Sequence, residues 1–160
     1  MKHHLLLVDD EKAYYDTLNE NFSDYTISYA ANFSEAKKAM DKHKIDLILM
    51  DWNLGSENGL DIVQKLKASL NTFKIPVIML TGNKQESDVV EALNQGADDY
   101  VTKPFKADLL ISKINANLRK YGLNKEKNFT LQNVNLDEDN FSVTMKGSTV
   151  KLRRKEFMMF

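Results

Sequence analysis

Leu47 to Met50 is an unbroken apolar run that stops abruptly at Asp51. A half-exposed strand would alternate apolar and polar residues. A run without alternation belongs to a strand buried on both faces, as in a parallel sheet. Asp51 then stands at the carboxyl end of that strand, the edge where open α/β sheets bind ligands. Four other segments read as strands. His4 to Val8 is apolar after its first residue and ends at Asp9, Asp10 and Glu11. Tyr25 to Ala30 is β-branched and aromatic. Pro76 to Leu80 is apolar and leads into Thr81, with proline at its first position, where it is tolerated. Ala97 to Thr102 holds a short strand around Tyr100 and Val101, followed by Lys103 and Pro104.

Helical spacing fills the intervals. Tyr14, Leu18 and Phe22 recur every fourth residue. Asn32 and Glu35 have capping-box spacing ahead of Ala36, Ala39 and Met40. Gly55, Asn58 and Gly59 mark a loop, and Ile62, Val63, Leu66 and Leu70 predict a third helix. Val89, Val90 and Leu93 fit a fourth, stopped by Gly96. Leu110, Ile114, Leu118 and Tyr121 predict a longer fifth. Five strands alternating with five helices imply right-handed crossovers: an α/β fold, a doubly wound five-stranded parallel sheet of flavodoxin-like order 2-1-3-4-5. This domain is expected over residues 1–121, with a polar linker at 122–128. Residues 129–160 change character: Phe129 to Leu131, Val134 to Leu136, Phe141 to Val143 and Thr149 to Val150 predict a small antiparallel β segment, with a turn at Lys146-Gly147 and the start of a helix from Arg154.

Composition removes whole classes of function. There is no cysteine, hence no disulfide and no thiolate metal site. Net charge is -1, with the acidic excess before Gly122 and the basic excess after it, so no whole-chain field points to nucleic acid or a membrane. No apolar run approaches the ~18 residues of a membrane span, and the amino terminus is too short for a signal peptide. A cytoplasmic protein is expected.

The strand ends carry the chemistry. The fold would bring Asp9, Asp10, Asp51, Thr81 and Lys103 to one sheet edge. Three clustered carboxylates persist when a cation occupies them, and all-oxygen ligands suit Mg²⁺. Lys103 adds positive charge and Thr81 a hydrogen-bond donor. The expected chemistry is attack of Asp51 on phosphorus, since carboxylate nucleophiles form aspartyl phosphates. His3, His4 and His43 show no ligand spacing, and Trp52 is expected to be a partly exposed loop residue.

LLLVDD, LILMDWNLGSENG, VIMLTG and GADDYVTKPF, in this order over about residues 3 to 121, resemble the receiver domain of bacterial two-component response regulators. The resemblance implies that Asp51 accepts a phosphoryl group from a sensor histidine kinase. It implies that Asp10, Asp51 and the backbone carbonyl of Asn53 ligate Mg²⁺, with Asp9 acting through water. Thr81 and Lys103 would contact the phosphoryl oxygens, Tyr100 would be an aromatic switch moving with Thr81, and Lys103-Pro104 resembles the family's cis lysyl-proline. Asn53 and Asn83 would flank the path of hydrolytic water. The chain departs from the family in having Gly55 where proline is common, which loosens the loop but removes no ligand, and Gly82 where alanine is common, which leaves more room for phosphate and for movement of Thr81.

The tail, NFTLQNVNLDEDNFSVTMKGSTVKLRRKEFMMF, resembles the first sheet of the DNA-binding effector domain of the OmpR/PhoB family, with Arg153 where that family has threonine. The recognition helix and wing that follow in the family do not occur in these residues. The reading therefore expects a truncated chain, with DNA binding only through a complete effector domain and KLRRK as a solvated face. In that family the fourth and fifth helices dimerise through charge pairs. Here Val89 and Leu109 fall where the basic and acidic partners would stand, with Asp108 one place earlier, and Asp99 and Lys113 remain as one pair. A more apolar or weaker homodimer face is expected. Two alternatives stay open: a stand-alone receiver acting as a phosphate sink, and a Mg²⁺-dependent phosphatase of the haloacid-dehalogenase type. The latter needs an aspartate two residues after its nucleophile, where this chain has Asn53. The receiver reading is not an enzyme beyond its own dephosphorylation.

Overall fold

The computed structural model describes residues 2–82, 85–122, 134–137, 142–145 and 148–151. The chain divides into two compact units, Met1–Asn124 and Lys125–Phe160. In the first, the elements run β1 (His3–Val8), α1 (Lys12–Asn21), β2 (Tyr25–Ala30), α2 (Phe33–Lys42), β3 (Leu47–Asp51), β4 (Asn53–Leu54), β5 (Glu57–Asn58), α3 (Gly59–Ala68), β6 (Val77–Thr81), α4 (Glu86–Asn94), β7 (Asp99–Thr102) and α5 (Ala107–Lys120). Five parallel strands form one sheet in the order β2-β1-β3-β6-β7, as the sequence predicts.

The unbroken apolar runs are explained by two cores. Leu6, Val8, Ile48, Met50, Val77 and Met79 point to one face, under Ala36 of α2, Leu60, Ile62, Val63 and Leu66 of α3, and Ala92 of α4. Leu5, Leu7, Leu47, Leu49, Ile78 and Leu80 point to the other, under Leu18 of α1 and Leu110, Ile114 and Leu118 of α5. Alternate residues thus enter opposite cores, and neither face meets water. All four apolar residues of β3 are fully buried. At roughly 1.5–3 kcal/mol per buried large side chain, these strands are the most strongly held part of the unit.

Local signals set the boundaries. Asn32 caps α2, its side chain accepting from the Glu35 amide at 2.9 Å, while Glu35 accepts from Ala31. Gly96 takes φ +106 after α4, a left-handed turn that glycine makes without Cβ strain. The loop expected around Gly55 is a two-stranded antiparallel hairpin, β4 with β5. Asn58 caps α3 by accepting from the Leu60 amide.

One expectation is corrected, and one helix face is settled by the structure. Leu70 lies beyond α3, which ends at Ala68, and is 89% exposed. Ser69 has already turned to extended backbone, so the i+4 spacing from Leu66 carries no contact. In α4 the inward residue is Ala92, whereas Val90 and Leu93 are 52% and 43% exposed. That helix lays its small residue on the sheet and turns Val90 and Leu93 to solvent, with Val89 half-buried.

At the edge of the sheet away from Asp51, Asp98 joins three elements. It accepts from Lys67 Nζ at 2.8 Å, from the Val77 amide at 2.8 Å and from the Tyr121 hydroxyl. Burial and the Asp98 carboxylate push the Tyr121 phenol from 10.0 up to about 12. Because the folded pKa is raised, this bond's stabilisation is complete below pH 10.0 and is lost as pH rises toward 12. Ultraviolet titration should find one phenol ionising near 12, and Asp98→Asn should bring it down. A wild-type titration with no phenol ionising near 12 would contradict the bond.

In the second unit, β8 (Val134–Asp137), β9 (Ser142–Met145) and β10 (Ser148–Lys151) form an antiparallel sheet of order β10-β9-β8. The expected strand at Phe129 to Leu131, the Lys146-Gly147 turn and the helix start from Arg154 lie outside the described residues.

Candidate functional site

The strand order reverses between β1 and β3, which run side by side from the middle of the sheet. Helices diverge from such a point, leaving a crevice at the carboxyl ends. Asp9 and Asp10 follow β1 directly, and Asp51 ends β3. The parallel register places Asp51 beside Leu80 and Thr81 beside Thr102, so Thr81 and Lys103 arrive at the same rim. The sequence-predicted set is therefore brought together. An open cleft of about 580 Å³ is lined by Asp10, Glu11, Tyr14, Asp51, Asn53, Gly55, Gly82, Lys103 and Pro104.

Within it, one carboxylate oxygen from each of Asp9, Asp10 and Asp51 lies within 4.8 Å of the others. Asp9 is fully buried and Asp51 is 7% exposed, while Asp10 faces solvent. Lys103 spans the two buried ones, with Nζ 2.7 Å from Asp9 Oδ2 and 3.2 Å from Asp51 Oδ1. The Lys103-Pro104 peptide bond is cis, as the resemblance implies. The Lys103 amide donates to the Thr81 carbonyl at 2.7 Å, tying the lysine to the end of β6. Asp9 Oδ1 accepts from the Glu11 amide and Asp51 Oδ1 from the Trp52 amide.

The electrostatics follow from this packing. Burial pushes the Asp51 carboxyl above its ordinary range; Lys103 pulls it down and Asp9 pushes it up further. Burial alone would lower the Lys103 ammonium, but hydrogen bonds and charge from Asp9 and Asp51 outweigh it and leave the group raised. A cation at this point is thus strongly favoured, and the ammonium already supplies one. Three convergent carboxylates with an exposed member form an all-oxygen donor set that fits a small divalent ion such as Mg²⁺.

Thr81 is buried at the rim. Tyr100 is half-buried in β7 and packs on the α3–α4 core, with Lys113 Nζ 5.4 Å from its ring centroid. Lys113 is also paired with Asp99 at 2.7 Å within the chain. Trp52 is half-exposed, as expected. His3 and His4 open β1 at the opposite end of the strand, His3 beside Asp46 and His4 on Ser28. Asn83 lies outside the described residues.

Two features were not legible. Tyr14 lines the cleft with Lys103 Nζ 3.8 Å from its ring centroid; helical spacing had accounted for it as core. Gly59, read as a loop residue, lies against the Asp51 backbone. Gly55 takes φ +64, which proline cannot adopt, so this loop follows a course different from one with proline here. A methyl group at Gly82 would meet nothing within 4 Å among the described residues.

Residues 5–115 match the family model described as "Response regulator receiver domain". The chain is 34% identical over 158 residues to the transcriptional regulatory protein DltR of Streptococcus agalactiae serotype III (strain NEM316), covering 97% of this chain and 69% of that protein. Among solved structures it is similar to a two-component response regulator from Clostridium difficile, at 27% identity and TM-score 0.67, covering 74% of this chain and 98% of that one. It is also similar to the receiver domain of the TMAO respiratory system response regulator TorR, at 34% identity and TM-score 0.67, with the same coverage.

Proposed function

This chain belongs to the response regulator receiver domain family, and on that premise we propose that Asp51 is its phosphoacceptor and a histidine kinase its phosphodonor. The observation that carries the reading is the Asp9–Lys103–Asp51 bridge beside Asp10, at the one point where the sheet's topology opens a crevice. In the transfer, an Asp51 carboxylate oxygen attacks phosphorus, the P–O bond forms, and the P–N bond to the donor imidazole breaks. The imidazole keeps that electron pair and takes up a proton. Lys103 is placed to follow charge onto the phosphoryl oxygens, and Thr81 to donate to one of them.

Asp10, Asp51 and the Asn53 carbonyl would hold Mg²⁺, with Asp9 behind them. The ion would neutralise charge on the incoming phosphoryl oxygens. Asp9 is the most deeply buried of the three carboxylates and the one closest to Lys103, which favours an outer role for it. Phosphorylation would shift a two-state equilibrium at the face carrying Tyr100. The second unit, taken over residues 129–160 after a linker at 122–128, would begin an OmpR/PhoB-type effector domain that acts on DNA. The match to DltR, which extends over 97% of this chain, supports that assignment. No helix among the described residues is long and apolar enough to cross a membrane.

Incubation of the full chain with phosphoramidate and Mg²⁺, followed by intact-mass measurement, tests the acceptor. One added phosphoryl group is expected, absent in Asp51→Asn and absent with chelator. Turnover of a phosphomonoester by the chain would favour the phosphatase alternative instead.

A homodimer through α4 and α5 would be held mainly by apolar contact. Val90, Leu93 and Leu109 are each about half exposed, while Lys113 and Asp99 satisfy one another within the chain. Sedimentation of the phosphorylated chain should show weak association that persists in high salt. A tight dimer that dissociates with salt would count against this.

A further inference from the structure

Tyr14 has two structural roles at once. Its ring packs on the α1–α5 core, 6.3 Å from Phe105, and the same ring walls the cleft over Asp51. Lys103 Nζ lies 3.8 Å from its centroid, whereas the other lysine–ring contacts among the described residues fall between 4.9 and 5.8 Å. The Lys103 side chain is only 10% exposed. An ammonium stripped of most of its water gains far more from an aromatic face than a solvated one does. The ring therefore closes the side of the ammonium that Asp9 and Asp51 leave open.

We propose that Tyr14 is the positioning residue for Lys103. Its aromatic face holds the ammonium in the cleft where a phosphoryl group would sit on Asp51, and so sets the rate at which Asp51 is phosphorylated. A lysine has a flexible four-carbon stem and a strongly hydrated head. Without the ring, the head would gain water from the open cleft and sample positions away from the acceptor. Asp51 would then attack phosphorus with less of its developing charge met. The effect acts through Lys103, and Tyr14 forms no bond to the phosphoryl group. The inference rests on the reading of Asp51 as acceptor and of Lys103 as its charge partner.

The full chain is compared with Tyr14→Phe and Tyr14→Leu. Phenylalanine keeps the aromatic face, and leucine keeps apolar bulk for the core without it. Phosphorylation by phosphoramidate with Mg²⁺ is followed by mass, and the Lys103 ε-methylene resonances by NMR. The wild type and Tyr14→Phe should share an upfield ring-current shift at Lys103 and similar rates. Tyr14→Leu should lose the shift and slow about tenfold. Equal rates in all three proteins would overturn the proposal, as would equal slowing of the Phe and Leu variants or an unshifted Lys103 in the wild type. A wild type that shows the ring-current shift but takes no phosphoryl group would instead overturn the acceptor reading on which the rate claim depends.

Discussion

Replacing Gly59 with alanine should destabilise the protein by about 3 kcal/mol and disable the acceptor in the fraction that folds. A Cβ at this position would stand 1.9 Å from the Asp51 carbonyl oxygen, 3.0 Å from its carbon and 3.2 Å from Met50 Cγ. Two of those three atoms are backbone, so no rotamer change relieves the clash. Either α3 must back away from the end of β3 or the Asp51 peptide must move. The first breaks the 2.7 Å bond from the Gly59 amide to the Trp52 carbonyl and opens the core beneath Leu60, Ile62 and Val63. The second turns the Asp51 side chain away from Lys103. Thermal unfolding should drop by about 10 °C. Gly82→Ala is the matched control: its methyl group meets nothing within 4 Å among the described residues, and it should stay within about 0.5 kcal/mol of wild type. Equal melting temperatures for the Gly59→Ala and wild-type chains would refute the packing argument.

The second large effect is expected at Lys103. Changing it to methionine keeps much of the stem volume and removes the charge that Asp9 and Asp51 share. Two carboxylates, one fully buried and one nearly so, would be left to repel each other. Breaking a buried pair in this way costs about 3 kcal/mol. The loss should appear in chelator and should shrink when Mg²⁺ is added, because a divalent ion replaces the missing charge among the same oxygens. Mg²⁺ should accordingly stabilise Lys103→Met more than it stabilises the wild type, although the variant should phosphorylate poorly.

The pH dependence has a definite sign. Lys103 is raised in the folded state, so its stabilisation is complete below the ordinary lysine pKa and is lost as pH rises through the folded value. The variant should lack that alkaline decline. Asp51 is also raised, so its contribution has the same sign at lower pH: its ionisation opposes folding, and stability from this group falls as pH climbs from the ordinary carboxylate pKa to the raised one. Identical Mg²⁺ responses in the two proteins would mean that Lys103 does not share the carboxylates' site.

The parts of the fold that were readable in advance are those whose pattern has a single structural solution. An unbroken Leu-Ile-Leu-Met run fits a strand with helices on both sides, and once five such strands alternate with helices their carboxyl ends share an edge. Asp9, Asp10, Asp51, Thr81 and Lys103 could therefore be grouped without coordinates. Helix faces are less determined. The α4 sequence shows its period clearly, yet Ala92 turns inward and Val90 and Leu93 outward, because periodicity marks a helix without fixing which of its residues meets the sheet. Leu70 kept the spacing of α3 after the backbone had left the helix at Ser69. Tyr14 and Gly59 depend on contacts with residues 89 and 8 positions away, which no local pattern encodes.

The phosphoryl group is expected to land on Asp51 and nowhere else. Aspartyl phosphate is reduced by borohydride to homoserine, which marks the acceptor covalently. After phosphoramidate and Mg²⁺ treatment, reduction and peptide mapping should find homoserine at position 51 alone. Homoserine at Asp9 or Asp10, or a phosphoryl group retained on a histidine with position 51 unchanged, would contradict the account.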